Sequence, residues 1–303
     1  MVALIMLGGI LALQTRINGQ LGSRLGDGFL AAAVIFLIGL TLTMIAMLVS
    51  GSGRAGLRAV RADVKAAALP RWILFGGAVG SVFVIGQGLV AALLGTAVFS
   101  TSTVAGQTVG GLFVDRLGIG PSGKHSLTVR RLAGAALGLV AVGWSVSADL
   151  TGGFPVVALA VPLLGGLCIG WQQAVNGRVR VAANSVITST FVNFLGGAIV
   201  TGTLAAIRLV AAGAIPRFPT EGWLYAGGLT SLLFIAATSQ LVRRTGVLML
   251  GVGTTAGQLL VSLALDLFLP QPGAVIRYTM IAGTALALVS VVIVSTPASH
   301  AGR

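Results

Sequence analysis

Four amides draw attention before any element is assigned. Gln14 and Asn18 lie four residues apart, and Gln172 and Asn176 repeat that spacing. Residues four apart share one face of a helix. A carboxamide carries N–H donors and a carbonyl acceptor without net charge. That chemistry suits a neutral or zwitterionic solute. The same groups also hold helices together in membranes, at about 0.6 kcal/mol per bond, and the sequence leaves both roles open. Gln107 and Gln258 form a third pair, each preceded by a glycine, Gly106 and Gly257. A glycine there lets a backbone or a solute approach closely. These six amides are the candidate substrate-binding residues.

Two carboxylates, Asp115 and Asp266, are candidates for coupling solute movement to a proton or cation. The alternative is that they end helices and are neutralised by Arg116 or Arg277, or by solvent. Asp115 is followed directly by Arg116, whereas Leu267, Phe268 and Leu269 follow Asp266. A carboxylate in apolar surroundings takes up a proton more readily, which makes Asp266 the better coupling candidate. Arg16 has Ala174 at its repeat position and is expected to snorkel to the outer interface. Ser100, Thr101, Ser102 and Thr103, with Thr254 and Thr255, make two apolar runs polar at depth. Helices of that kind are expected to line a wet cavity.

Catalytic chemistry is missing from the pattern. His125 and His300 have no second ligand at metal spacing, so no metal site is expected. The lone Cys168 excludes an intramolecular disulfide. No Gly-x4-Gly-Lys-Ser/Thr loop occurs. The chain therefore reads as no enzyme, with no cofactor.

These residues must be positioned by membrane helices. Of the 303 residues 56% are hydrophobic and 8% charged, with a mean hydropathy of +1.02. A soluble domain carries about 25% charged residues, so a soluble enzyme is excluded. The apolar runs are continuous, not alternating, which excludes a membrane β-barrel. Ten windows fit the roughly 20 residues of a span: 2–21, 28–50, 72–94, 97–115, 130–148, 155–177, 185–207, 222–241, 247–269 and 275–295. The apolar start reads as a first span and not as a signal peptide. Trp72 and Trp223 open two of the spans as interfacial anchors.

The net charge of +13 sits in short loops between spans. Fourteen of the 19 Lys and Arg fall on the side of the N-terminus. The positive-inside rule then places both termini in the cytoplasm. No nucleic-acid partner is expected, since no basic patch accompanies a recognition motif. The expected partners are a small-molecule solute and membrane lipid.

The chain repeats itself. Gln14 to Gly19 recurs as Gln172 to Gly177, a spacing of 158 residues, and Phe36 to Gly39 recurs as Phe194 to Gly197. Further on the spacing falls to 151: Trp72 matches Trp223, Gly95 matches Gly246, Gln107 matches Gln258 and Asp115 matches Asp266. The halves are 1–150 and 151–303, five spans each. An odd number of spans inverts the second half, and inverted repeats underlie alternating access. A passive channel for a small solute is the alternative. Fusion of the halves in one chain is compatible with a monomer.

At these motifs the chain resembles the YdcZ-like branch of the drug/metabolite transporter superfamily. The resemblance rests on Gln-x3-Asn-Gly, Trp-x3-Gly-Gly and Ala-Gly-Gln-x7-Asp, each present twice and in order. It implies an all-α polytopic protein of the inner membrane, with ten helices and a cavity between its halves. It supplies no solute. Small multidrug-resistance relatives carry a membrane-embedded Glu in the first helix, where this chain has amides. Glu221 is the only Glu, and it falls beside a loop. Proton-coupled export through that Glu chemistry is therefore not expected.

Overall fold

The computed structural model describes residues 2–121, 123, 124, 127–147, 156–270 and 277–295, and every regular element among them is helical. His125 and His300 lie outside the described residues.

Helix α1 (Val2–Leu25) runs into α2 (Gly28–Val49) through a two-residue turn. Gly26 takes the left-handed conformation at φ +64°, and Asp27 caps α2 by accepting the Phe29 and Leu30 amide protons at 2.9 and 3.1 Å. The same joint recurs 158 residues later between α7 (Ala160–Ala183) and α8 (Val186–Ala212). There Asn184 is left-handed at φ +45°, and Ser185 caps α8 by accepting from the Thr188 amide at 3.3 Å. Glycine and asparagine both tolerate this backbone region, and aspartate and serine both cap. Two different sequences thus build one joint.

Between the first-half joint and α4 (Gly76–Leu94) lies α3 (Gly51–Lys65), in a segment read from sequence as loop. No apolar window marks it. It buries Gly53, Gly56 and Val60 and exposes Arg54, Arg58, Arg61 and Lys65. Thr188 Oγ1 donates to the Gly53 carbonyl at 2.9 Å, which seats α3 on the start of α8. Gly95, at φ +79°, then turns the chain into α5 (Thr96–Leu117), which α6 (Val129–Val146) follows.

The two predicted spans 222–241 and 247–269 form one helical run, α9 (Gly227–Phe268), before α10 (Tyr278–Ser295). No proline interrupts residues 227–268, so local sequence does not force a break. The run nevertheless folds back. Gly227 lies against the Asn18 side chain, and the Leu265 carbonyl accepts from Arg16 at 3.5 Å, two positions away on α1. A straight helix would separate residues 227 and 265 by about 57 Å. Both ends of α9 therefore meet the same end of α1.

Among the described residues six segments are long and apolar enough to cross a membrane: Val2–Leu25, Gly28–Val49, Arg71–Leu94, Val129–Val146, Val156–Ala183 and Val186–Ala212. Shorter apolar stretches cover Gly253–Phe268 and Tyr278–Ile293. The polar run in α5 keeps that helix outside the set.

The halves interlock through reciprocal contacts. At the centre α2 crosses α8, with Phe36 and Phe194 edge to face at 5.9 Å. A methyl group on Gly39 would strike the Phe194 ring, and one on Gly197 would strike the Phe36 ring. Similarly, a methyl on Gly8 would meet the backbone of Thr254 and Gln258, and one on Gly166 that of Thr103 and Gln107. Each contact has its counterpart at the repeat spacing, so α1 packs on α9 as α7 packs on α5.

Candidate functional site

A cavity of about 140 Å³ lies where the halves meet. Its lining comes from α1, α2, α4, α7, α8 and α9. Three amides converge on one wall. Gln172 Nε2 and Asn176 Nδ2 both donate to Asn193 Oδ1, at 2.7 and 2.8 Å. The four-residue spacing on α7 places both donors on the helix face turned toward α8. Phe36, Phe83, Phe194 and Phe234 supply apolar lining, and Gln14 and Gln173 also reach the cavity. None of the described residues that line it carries a formal charge.

The first-half counterparts are placed differently. Asn18 is 1% exposed and donates to Gln87 Oε1 at 2.8 Å. Gln87 Nε2 then donates to Thr15 Oγ1 at 2.8 Å, and Thr15 to the Leu11 carbonyl at 3.0 Å. This chain of bonds closes α4 onto α1. Gln14 is buried, whereas Gln172 and Asn176 keep partial exposure and Gln173 is exposed. Gln258 is buried beside α1, while Gln107 keeps partial exposure and donates to Gln173 Oε1 at 3.2 Å. The structure thus brings Gln14, Gln172 and Asn176 to the cavity. It puts Asn18 and Gln258 in packed interfaces and Gln107 one residue removed, behind Gln173.

Gln87, Gln173 and Asn193 went unrecognised in the sequence. Each is a polar residue inside an apolar run, which is a signal. None is duplicated: Ile35 stands at the repeat position of Asn193, and Thr15 at that of Gln173. A reading that weighs duplicated residues passes over them.

The polar run of α5 does not line this cavity. Ser100, Thr101, Ser102 and Thr103 are at most 1% exposed, and their hydroxyls have no hydrogen-bond partner among the described residues. Small side chains serve there to let α7 pack closely, with Gly166 against the Thr103 carbonyl.

The carboxylates find long-range partners in place of their chain neighbours. Asp115 pairs with Arg131 at the start of α6, not with Arg116. Asp266 lies 3.5 Å from Arg16, and its Oδ2 accepts the Ala97 amide proton at 2.7 Å, capping α5. Arg16 also donates to the Leu265 and Leu269 carbonyls at the end of α9. The expected snorkelling arginine is therefore only 11% exposed at its side chain and is paired. The apolar surroundings expected for Asp266 from its chain neighbours are replaced by a cation and a helix N-terminus. Two further pairs lie at the same end: Arg24 with Glu221 at 3.0 Å, and Arg208 with Asp27 at 3.2 Å.

A family model described as "Putative inner membrane exporter, YdcZ" matches residues 1–144 and again 157–293. The double match coincides with the two halves of the repeat. Among curated proteins nothing matches.

Proposed function

The chain belongs to the YdcZ family of drug/metabolite transporters, and from that premise we propose a secondary transporter that moves a small polar or drug-like solute across the inner membrane by alternating access. Ten crossings are counted by dividing the folded-back α9 into two spans and setting aside α3 as a helix at the membrane surface. The halves 1–150 and 151–303 are then inverted relative to each other, with both termini in the cytoplasm and lipid around the bundle.

One observation carries this reading. Residues equivalent by the repeat differ in exposure: Asn18 is sealed and Asn176 is not, Thr15 is sealed and Gln173 is not. Asn18 lies about two turns from the end of α1, and Asn176 about two turns from the end of α7. Under inversion these ends face opposite sides of the membrane. One side is then closed and the other open, which is one of two states that inverted halves can exchange. A fixed pore has no need of a sealed end.

Sided labelling tests the reading. In a Cys168→Ser background, Asn176→Cys is expected to react with a membrane-impermeant maleimide from the cytoplasmic side. Asn18→Cys should react only slowly, and from the opposite side. Closing the cytoplasmic end by cross-linking should slow the first reaction and hasten the second. Simultaneous fast labelling of both positions would mean a pore.

A further inference from the structure

The cavity has two unlike walls. Asn193 Oδ1 receives two amide donors, Gln172 Nε2 and Asn176 Nδ2. Three groups of the triad remain outside these two bonds: the Gln172 and Asn176 carbonyl oxygens and the Asn193 NH2. They offer two acceptors and one donor group on side chains that meet at Asn193 Oδ1. The position equivalent to Asn193 is Ile35, and Ile35 lines the same cavity. The hydrogen-bonded triad therefore belongs to one half alone, Gln14 of the other half also reaches the cavity, and Phe36, Phe83 and Phe194 supply apolar lining.

Size and charge narrow the solute. A volume of about 140 Å³ is close to the roughly 150 Å³ of an apolar cavity that takes up benzene. An ion desolvated against amides and phenyl rings, with no counter-charge among the described lining residues, meets a penalty that neutral dipoles do not offset. An uncharged planar head group with both N–H and C=O satisfies the triad.

Resting on the transport reading, we propose that this cavity is a binding site for an uncharged solute of about one ring, with a planar donor–acceptor head group read by Gln172, Asn176 and Asn193. The apolar body lies on the phenylalanine wall. Net anions and net cations are excluded by the same lining.

Three near-isosteric probes test this on the purified full chain: benzamide, benzoate and benzamidinium, with charges of zero, minus one and plus one. Calorimetry or equilibrium dialysis is expected to show benzamide binding at least tenfold tighter than either ion. Asn193→Leu should reduce benzamide binding about tenfold with little change in melting temperature. Asn193→Asp should reverse the order in favour of benzamidinium, which keeps the test alive if the leucine variant does not fold. Equal or tighter binding of either ion by the unaltered chain overturns the proposal. So does a failure of all three probes to bind at millimolar concentration, or an unchanged order in Asn193→Asp. Counterflow in proteoliposomes separates the two readings. Benzamide bound but never carried leaves the site standing and overturns transport; a carried ion leaves transport standing and overturns the site.

Discussion

Asn18 and Asn176 are the same residue at equivalent positions, yet they do different work. Asn18 is buried against Gln87, so its removal strands a buried amide oxygen. An unsatisfied buried acceptor costs about 1–3 kcal/mol, against about 0.6 kcal/mol for an average interhelical bond in a membrane. Asn176 borders the cavity, where water can replace what is lost. Asn18→Ala is therefore expected to lower stability by roughly 1 kcal/mol or more, and Asn176→Ala by less than half of that. Denaturation of both variants in the same detergent checks this, and equal losses would show that Asn176 also serves packing. The four amides of the two pairs were legible in the sequence from spacing and duplication. Their separate fates were not, because these depend on Gln87 and Asn193, whose repeat positions carry other residues. The coupling candidates met the same limit. Chain neighbours suggested Arg116 for Asp115 and an apolar shell for Asp266, and the fold supplied Arg131 and Arg16.

The helices were legible to within a few residues because apolar length is a strong signal in a membrane. Two elements escaped it. Helix α3 is charged on one face and small on the other, so it carries no apolar window. The run Gly227–Phe268 has no proline to mark a break, and its contacts with Asn18 and Arg16 show that the chain reverses between its two ends. The start of α5 shows how an element can depend on another half of the chain. Gly95 has no side chain to cap with, and the carboxylate of Asp266 accepts from Ala97 in its place. A cap of this kind is worth about 0.5–2 kcal/mol. Asp266→Ala is expected to speed hydrogen exchange at the Ala97 amide about tenfold. Asp266→Asn, which keeps an acceptor oxygen, should speed it less. An Ala97 rate unchanged in both variants would mean that the cap contributes nothing to the start of α5.

At the scale of the molecule, three ion pairs among the described residues, Arg16–Asp266, Arg24–Glu221 and Arg208–Asp27, join the first half to the second at the end where α1 finishes. The repeat does not reproduce them. Ala174 stands for Arg16, Ala182 for Arg24 and Pro70 for Glu221, while Ser185 stands for Asp27 and Ser50 for Arg208. On the alternating-access cycle proposed above, two inverted halves with unequal ends do not exchange states at equal free energy, and on that proposal these pairs favour closure at this end. Their weights differ. The Arg24 and Arg208 side chains are 63% and 58% exposed, and exposed pairs contribute about 0–1 kcal/mol each. Arg16 and Asp266 are 11% and 8% exposed, and breaking a buried pair costs about 3–5 kcal/mol because one charge is left without a partner. Spin labels on Ser23 and Thr220, both exposed at this end, report its opening when Cys168 is replaced by serine. The distance distribution should gain a longer component in the Arg24→Ala, Arg208→Ala double variant. A larger one is expected in Arg16→Ala, since its loss weighs more than the other two pairs together. A distribution unmoved by Arg16→Ala would leave the asymmetry between the ends without a role in setting the resting state. A larger response to the exposed pairs than to Arg16 would reverse the assignment of which pair holds the end closed.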